Sequence, residues 1–344
     1  MNKILIIGTN FSTKFNAIKT QGEYLHELLI ENGVHSQIVS DQRGYLKRIL
    51  QTCLAILKLK SGQKVIIQVY GTKSLYLEWL SGLICILKSH KILLTLHGGN
   101  IPNMFAGSRI KRVFFKSLFK WADTVTSPSN YLFFGLNNVG VKLAESKLKV
   151  VRNFIDLNDY SIVKKTNKKN TIFWMRSFHE VYNPILALNC LKELLNSGYD
   201  FRMYMAGPDQ GFLEQLKQEI TKLKLENNVI LLGKIDNKKK CEIASQCFIY
   251  LNTTIIDNSP VSFLEMMALG LPIVSTDVGG IKYWVENNIN ALLAEKNNVT
   301  DLKNKIEIFY HDDFVYDKIR KNNLEKVKEF SKDSVLNEWL VILN

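Results

Sequence analysis

No apolar run in this sequence approaches the roughly 18 residues that a membrane-crossing helix requires, so a spanning protein is not expected. The opening run KILIIG (3–8) is too short for a secretory signal and passes straight into a loop, so no leader is expected either. Five cysteines, Cys53, Cys85, Cys190, Cys241 and Cys247, form no CxxC pair and no metal-ligand spacing. They read as reduced core thiols of a cytoplasmic protein. The stretch GTNFSTKFNAIKTQG (8–22) follows the first strand without G-x-G-x-x-G, which argues against a nicotinamide or flavin dehydrogenase, and no Walker A sequence occurs. No DxD-like cluster offers itself to a divalent ion, so no metal is expected.

What is present is an alternation of short apolar runs with longer amphipathic ones. Strand-like runs occur at 3–8, 36–40, 64–70, 91–97, 123–127 and 148–151, and again at 171–175, 201–206, 228–233, 247–252, 272–276 and 291–294. Helical patterns fill most gaps, such as GEYLHELLIENG (22–33) and GFLEQLKQEITKLKLEN (211–227). Strand alternating with helix implies parallel sheets covered on both faces. At 344 residues two domains are expected, and the polar stretch VKKTNKKN (163–170) divides the pattern in two. The expectation is therefore an α/β protein of two doubly wound domains facing across a cleft, with ligand at the carboxyl ends of the strands. Charge is uneven: residues 1–160 hold 21 Lys and Arg against 9 Asp and Glu, and 161–344 hold 24 against 23. An anionic partner for the first half follows.

The segment DNSPVSFLEMMALGLPIVSTDVGG (257–280) carries the most chemistry. It places one carboxylate in a loop, Asp257, and a second eight residues later on a helix, Glu265. Ser259 is expected as N-cap and Pro260 at the first helical position, with Gly270 closing the helix. Free N–H groups at such a start form an anion site, so the segment suits a ligand with phosphate between two hydroxyl-bearing ends: a nucleotide sugar.

These residues resemble the E-x7-E region of the family-4 retaining glycosyltransferases (glycosyl transferases group 1), which have the GT-B fold. The resemblance spans essentially the whole chain, strongest over 171–285 and weaker over 1–90. It implies a first domain at 1–162 on the acceptor side, rejoined by a final helix at 330–344, and a nucleotide-sugar domain at 163–329. It implies that Glu265 takes the donor ribose, Asp257 and Asn258 the transferred sugar, and Ser259, Val261 and Ser262 the diphosphate. Asp257 is one methylene shorter than the family's usual Glu.

Further positions follow from the same resemblance. Arg176, in FWMRSFHEVYNP (173–184), falls where the family neutralises the leaving diphosphate, and Arg is the fork-shaped phosphate ligand. The family's following Lys is absent. Tyr182 or Asn183 stands near its place, and either one cation suffices or Lys234 substitutes. His97, with Gly98 and Gly99 after it, is similar to the family's HG motif beside the transferred sugar, where it would polarise or orient. Gly22 matches the family's glycine-start first helix, with Gln21 in place of the usual paired glycine. Gly207 and Gly211, in AGPDQG, match the turn beside the nucleotide. NFID (153–156) matches an N-G-I-D boundary, with Phe154 where glycine is usual.

Two basic stretches remain, 43–60 and 107–121, the latter interleaving Arg109, Lys111, Arg112, Lys116 and Lys120 with Phe114, Phe115, Leu118, Phe119 and Trp121. They read either as ordinary helices with a core face or as helices lying on anionic lipid. No nucleic-acid module is recognised. The expected activity is retaining transfer of a sugar from a nucleoside diphosphate donor, UDP ahead of GDP, to a carbohydrate or lipid-linked saccharide in surface polysaccharide or glycan biosynthesis. The expected place is the cytoplasm, peripherally on the inner face of the membrane. The competing readings are a nucleotide-sugar epimerase or hydrolase of the same fold, and a basic membrane- or nucleic-acid-binding protein without catalysis.

Overall fold

The computed structural model describes residues 3–9, 19–42, 44–71, 73–160 and 169–343. The chain separates into two compact units, one of residues 1–154 with 332–344 and one of 155–331. The 162/163 boundary, most of the expected linker, residues 10–18 of the loop after the first strand, and Arg43 lie outside the described residues.

In the first unit β1 (Ile4–Ile7), α1 (Gln21–Glu31), β2 (Ser36–Val39), α2 (Tyr45–Leu57), β3 (Lys64–Val69), α3 (Leu75–Leu87) and β4 (Lys91–Leu96) come in turn. Then follow α4 (Ile101–Gly107), α5 (Arg109–Trp121), β5 (Thr124–Ser127), α6 (Tyr131–Asn138) and β6 (Leu148–Val150). The strands form one parallel sheet in the order β2-β1-β3-β4-β5-β6. Every β1 residue is buried because both faces are covered, and alternate residues serve opposite faces. Leu5 and Ile7 join a cluster with Ile56, Cys85 and Phe115. Ile4 and Ile6 join Leu25, Leu28 and Leu29 of α1. Burying each such aliphatic side chain contributes about 1.5–3 kcal/mol.

The second unit contains β7 (Thr171–Met175), α7 (Pro184–Asn196), β8 (Arg202–Ala206), α8 (Leu213–Leu223), β9 (Val229–Gly233), α9 (Asn237–Gln246) and β10 (Ile249–Asn252). After these come α10 (Val261–Leu269), β11 (Ile273–Thr276), β12 (Leu292–Ala294), α11 (Val299–His311) and α12 (Asp313–Lys326). Its parallel sheet runs β9-β8-β7-β10-β11-β12, the Rossmann order, with the reversal between β7 and β10. The same alternation holds here, Ile172 and Trp174 packing into one cluster and Phe173 into the other.

The last helix, α13 (Lys332–Leu343), returns to the first unit, where Val335 and Trp339 pack with Leu25 and Leu28. Arg152 secures it by donating from Nε to Glu338 at 2.8 Å. Among the described residues no helix is long and apolar enough to cross a membrane.

Candidate functional site

The strand order places a site at the carboxyl ends of β7 and β10, where ligands gather in open α/β sheets. Arg176 is the first residue after β7, its N–H bonded to Ala206 O at 3.1 Å. Asp257 lies in the loop after β10. Arg176 Nη2 donates to Asp257 Oδ2 at 2.6 Å and Nη1 to Ser262 Oγ at 3.1 Å. The ion pair is largely withdrawn from water, with 12% and 14% of the two side chains exposed. Burial opposes the guanidinium charge, but Asp257 and the phenols of Tyr182 and Tyr250 outweigh it and raise the pKa.

Tyr182 stands near the place of the absent second cation, and its ring lies 4.2 Å from the Arg176 guanidinium carbon. Asn183 instead caps α7 from a left-handed conformation, its side chain accepting from Leu186 N–H. Lys234, one residue past β9, is exposed. Tyr250, fully buried in β10, places its hydroxyl 3.0 Å from Ser262 Oγ and 3.1 Å from Met175 O. Ser262 Oγ is thus the hub joining β7, β10 and α10.

The helix start differs from the expectation. Pro260, not Ser259, is the N-cap, in extended conformation and without a side-chain cap bond, and the helix begins at Val261. Pro260 itself stands outside the helical region, at φ −66° and ψ 120°, so the first helical residue is the one after it. Phe263 N–H bonds back to Pro260 O at 3.1 Å. Val261 and Ser262 are therefore the first-turn residues, while Asn258 and Ser259 are buried in the preceding loop. Gly270 closes α10 in the left-handed conformation, as expected. The loop is locked from behind, with Gly280 N–H donating to Asp257 O at 2.8 Å and Asn258 N–H to Asp257 Oδ1 at 2.8 Å.

Glu265, three residues after Ser262 on the same helix face, has partners that the sequence did not announce. Lys240 Nζ of α9 donates to Glu265 Oε1 at 2.5 Å, and Tyr160 OH donates to the same oxygen at 3.0 Å. Lys240 also donates to Asn237 Oδ1 at 2.7 Å. The only signal for Lys240 was its spacing, since 240, 243 and 244 share one helix face and Ile243 and Ala244 are core residues.

Gly207 sits after β8 with φ 150°, and a Cβ there would lie 1.9 Å from Arg176 O. The residue must be glycine for the two loops to meet. Gly211 adopts φ +91° in open space, beside a turn in which Asp209 Oδ1 accepts from Gly211, Phe212 and Leu213 N–H.

In the first unit His97 follows β4 directly, and its N–H bonds to Val69 O at 2.9 Å. Its ring stacks on Tyr70 with centroids 5.2 Å apart. Nε2 is buried without a partner among the described residues, and burial pushes the ring pKa down to about 4, so the imidazole is neutral at pH 7. A Cβ on Gly98 would lie 2.4 Å from Tyr70 O. Gly99 follows in the turn before α4.

Gly22 is the second residue of α1, which starts at Gln21 under a capping box of Thr20 and Glu23. Gln21 bonds the Phe154 backbone through both amide atoms, each at 3.0 Å. The two residues that depart from the resembled glycine pattern thus meet each other.

In the basic stretch 107–121, Phe115, Leu118 and Phe119 are core residues of α5, so the helix has the core face that one of its two readings expected.

Two doubly wound Rossmann-like units, with an arginine, an acid and a helix start at the second unit's switch point, define the GT-B class of fold. Within that class, residues 158–326, just under half of the chain, match the family model described as Glycosyl transferases group 1. The chain is 24% identical over 184 residues to poly(glycerol-phosphate) alpha-glucosyltransferase of Bacillus subtilis strain 168, covering 53% of this chain and 25% of that protein. It is 23% identical over 250 residues to N,N'-diacetylbacillosaminyl-diphospho-undecaprenol alpha-1,3-N-acetylgalactosaminyltransferase of Campylobacter jejuni, covering 66% of this chain and 61% of that one. The chain therefore spans less than two thirds of these relatives' lengths. Among solved structures it superposes on HepE of Anabaena in complex with UDP and glucose, with TM-score 0.76, 17% identity and coverage of 100% and 99%.

Proposed function

We propose that this chain is a retaining glycosyltransferase moving a sugar from a nucleoside diphosphate sugar, UDP ahead of GDP, to a carbohydrate or lipid-linked saccharide. The pathway class is synthesis of surface polysaccharide or glycan, in the cytoplasm and peripherally on the inner face of the membrane. The observation that carries the reading is the Arg176–Asp257–Ser262 constellation at the β7/β10 reversal, beside the start of α10. It offers a fixed cation and first-turn amides to a diphosphate, and a carboxylate farther along the helix to a ribose. The B. subtilis relative is named a glucosyltransferase, the Campylobacter relative acts on an undecaprenol-linked saccharide by its name, and HepE was solved with UDP.

In the proposed reaction the acceptor oxygen attacks the anomeric carbon on the face from which the diphosphate leaves, and the departing phosphate takes the acceptor's proton. The protein's part is charge stabilisation. Arg176 and the Val261 and Ser262 amides hold the diphosphate, Glu265 the ribose hydroxyls, and Asp257 and Asn258 the sugar. Ser259 supports the loop against the phosphates, and Gly207 lets the β7 and β8 loops close beside the nucleotide. Gly22 and Gly99 remain proposed close-approach points to the donor. His97, neutral at pH 7, orients a sugar hydroxyl and is no nucleophile. Lys234 is proposed as the outer cation, because Tyr182 fills the inner place.

The test is a thermal-shift panel of nucleoside diphosphates and nucleotide sugars, followed by mass spectrometry of products with a lipid-linked saccharide acceptor. UDP and a UDP-sugar should stabilise the protein, and product should require acceptor. Donor turnover without acceptor would favour an epimerase or hydrolase, and absence of any nucleotide response would favour a non-catalytic binding protein.

A further inference from the structure

Helices α2, α3 and α5 cover the same side of the first unit's sheet, since Ile56, Cys85 and Phe115 from them share one core cluster. Their outward faces are unusual for a solvated surface. On α2, Leu46, Leu50, Leu54 and Leu57 fall within about 80° of arc at 100° per residue, and Leu46 and Leu50 are 81% and 61% exposed. At the end of α3, Leu87 is 73% exposed. On α5, Ile110 and Val113, three apart on one face, are 65% and 62% exposed. A single exposed leucine needs no explanation, but a run of them on adjacent helices marks an interaction surface.

The charge on the same helices has one sign. Neither α2 nor α5 contains an Asp or Glu, and the sole acid of α3, Glu78, is buried. The exposed cations include Lys47 on α2 and Lys58 at its C-cap, beside the leucine stripe, and Arg109, Lys116 and Lys120 on α5. A nucleic acid would use the cations and leave the leucines in water. A second copy would bring the same positive face to meet this one. An anionic bilayer uses both, taking leucines into the interfacial region while each nearby Lys or Arg adds about 1 kcal/mol.

We infer that this face of the first unit docks on an anionic lipid bilayer, with the α2 leucine stripe as its apolar contact and the lysines and arginines of α2 and α5 meeting lipid phosphates. The docking contact is thus α2, while the aromatic residues of α5 stay in the core. The inference rests on the peripheral-membrane part of the proposed function and not on its sugar chemistry.

Co-sedimentation of the full chain with vesicles of phosphatidylcholine, alone or mixed with phosphatidylglycerol, tests it. The wild type should pellet with the anionic vesicles only and be released by salt. Leu46→Ser with Leu50→Ser, and separately Lys47→Gln with Lys58→Gln, should each weaken partitioning at least about tenfold. Both double variants should keep the wild-type melting temperature and response to UDP. Wild-type partitioning by the leucine variant would overturn the inference in favour of plain charge adsorption. Indifference to phosphatidylglycerol would overturn it too, as would a concentration-dependent dimer that the leucine variant abolishes. Loss of the UDP response with intact vesicle binding would sink the sugar-transfer reading alone.

Discussion

Lys240 donates to Glu265 at 2.5 Å, tying α9 to α10 through residues 25 apart in sequence. Only 10% and 13% of the two side chains are exposed, so the pair is held in a medium where one partner's loss is felt. Lys240→Met keeps the apolar stem and removes the charge. The expected result is a donor KM raised about tenfold with kcat changed far less, because among the described residues Glu265 is left with Tyr160 as its remaining side-chain donor. Combining it with Glu265→Gln should cost less than the sum of the two changes, as members of one network do. Steady-state kinetics of the three variants checks both points.

Arg176 meets a carboxylate in the structure where the proposed reaction gives it a diphosphate. Asp257→Asn should therefore lower stability without ligand by about 3 kcal/mol, the usual cost of breaking a buried pair. Saturating UDP should then raise the melting temperature of the variant more than that of the wild type, since phosphate supplies the missing counter-charge. Equal shifts in both proteins would separate Arg176 from the phosphate.

Gly207 and Gly211 lie in one turn yet should respond differently to alanine. The methyl group added by Gly207→Ala would press into the Arg176 carbonyl, whereas that added by Gly211→Ala meets open space and only an unfavourable φ. Gly211→Ala should cost about 1 kcal/mol, the scale of a left-handed strain. Gly207→Ala should cost at least about 3 kcal/mol or leave the second unit unfolded, because backbone rather than a rotamer must move. Denaturant titration of the two variants distinguishes them.

Glu78 is buried on α3, its Oε1 accepting from Tyr70 N–H at 3.1 Å and Ser74 Oγ at 2.6 Å. Burial is the main cause that pushes its pKa up, to about 7, against an ordinary value of 4.5. Between those values the folded protein holds a proton that the unfolded chain has released, so stability falls as pH rises from 4.5 to about 7 and is flat beyond. Glu78→Gln should remove this slope and stabilise the protein above a pH of about 7 by about 3 kcal/mol. Urea midpoints measured across that range should diverge between the two proteins only as pH rises.

Much of the fold was legible because each parallel strand is a compact apolar run, and the twelve strands of the described residues fall within the runs marked in the sequence. The segment around Asp257 was legible because its acids, proline and glycine lie within 24 residues. The helix start lies one residue later than expected because Pro260, at ψ 120°, is itself extended, and a backbone angle of that kind is not written in the SP pair that reads as cap and first helical residue. Lys240 and Tyr160 were missed for a different reason. Their contacts to Glu265 are made through tertiary packing, and a lysine inside NKKKC reads locally as surface. The Gln21–Phe154 contact was hidden likewise, its partners being 133 residues apart.

The proposed role of Arg176 and Glu265 in holding the donor is reached most directly by calorimetric titration of UDP into the wild type, Arg176→Ala and Glu265→Ala. Removing a phosphate cation or a ribose acceptor should weaken UDP binding at least about tenfold in each variant, and sugar transfer should fall at least about 100-fold. Wild-type affinity for UDP in both variants, with their folds intact, would contradict the placement of the donor at the β7/β10 reversal.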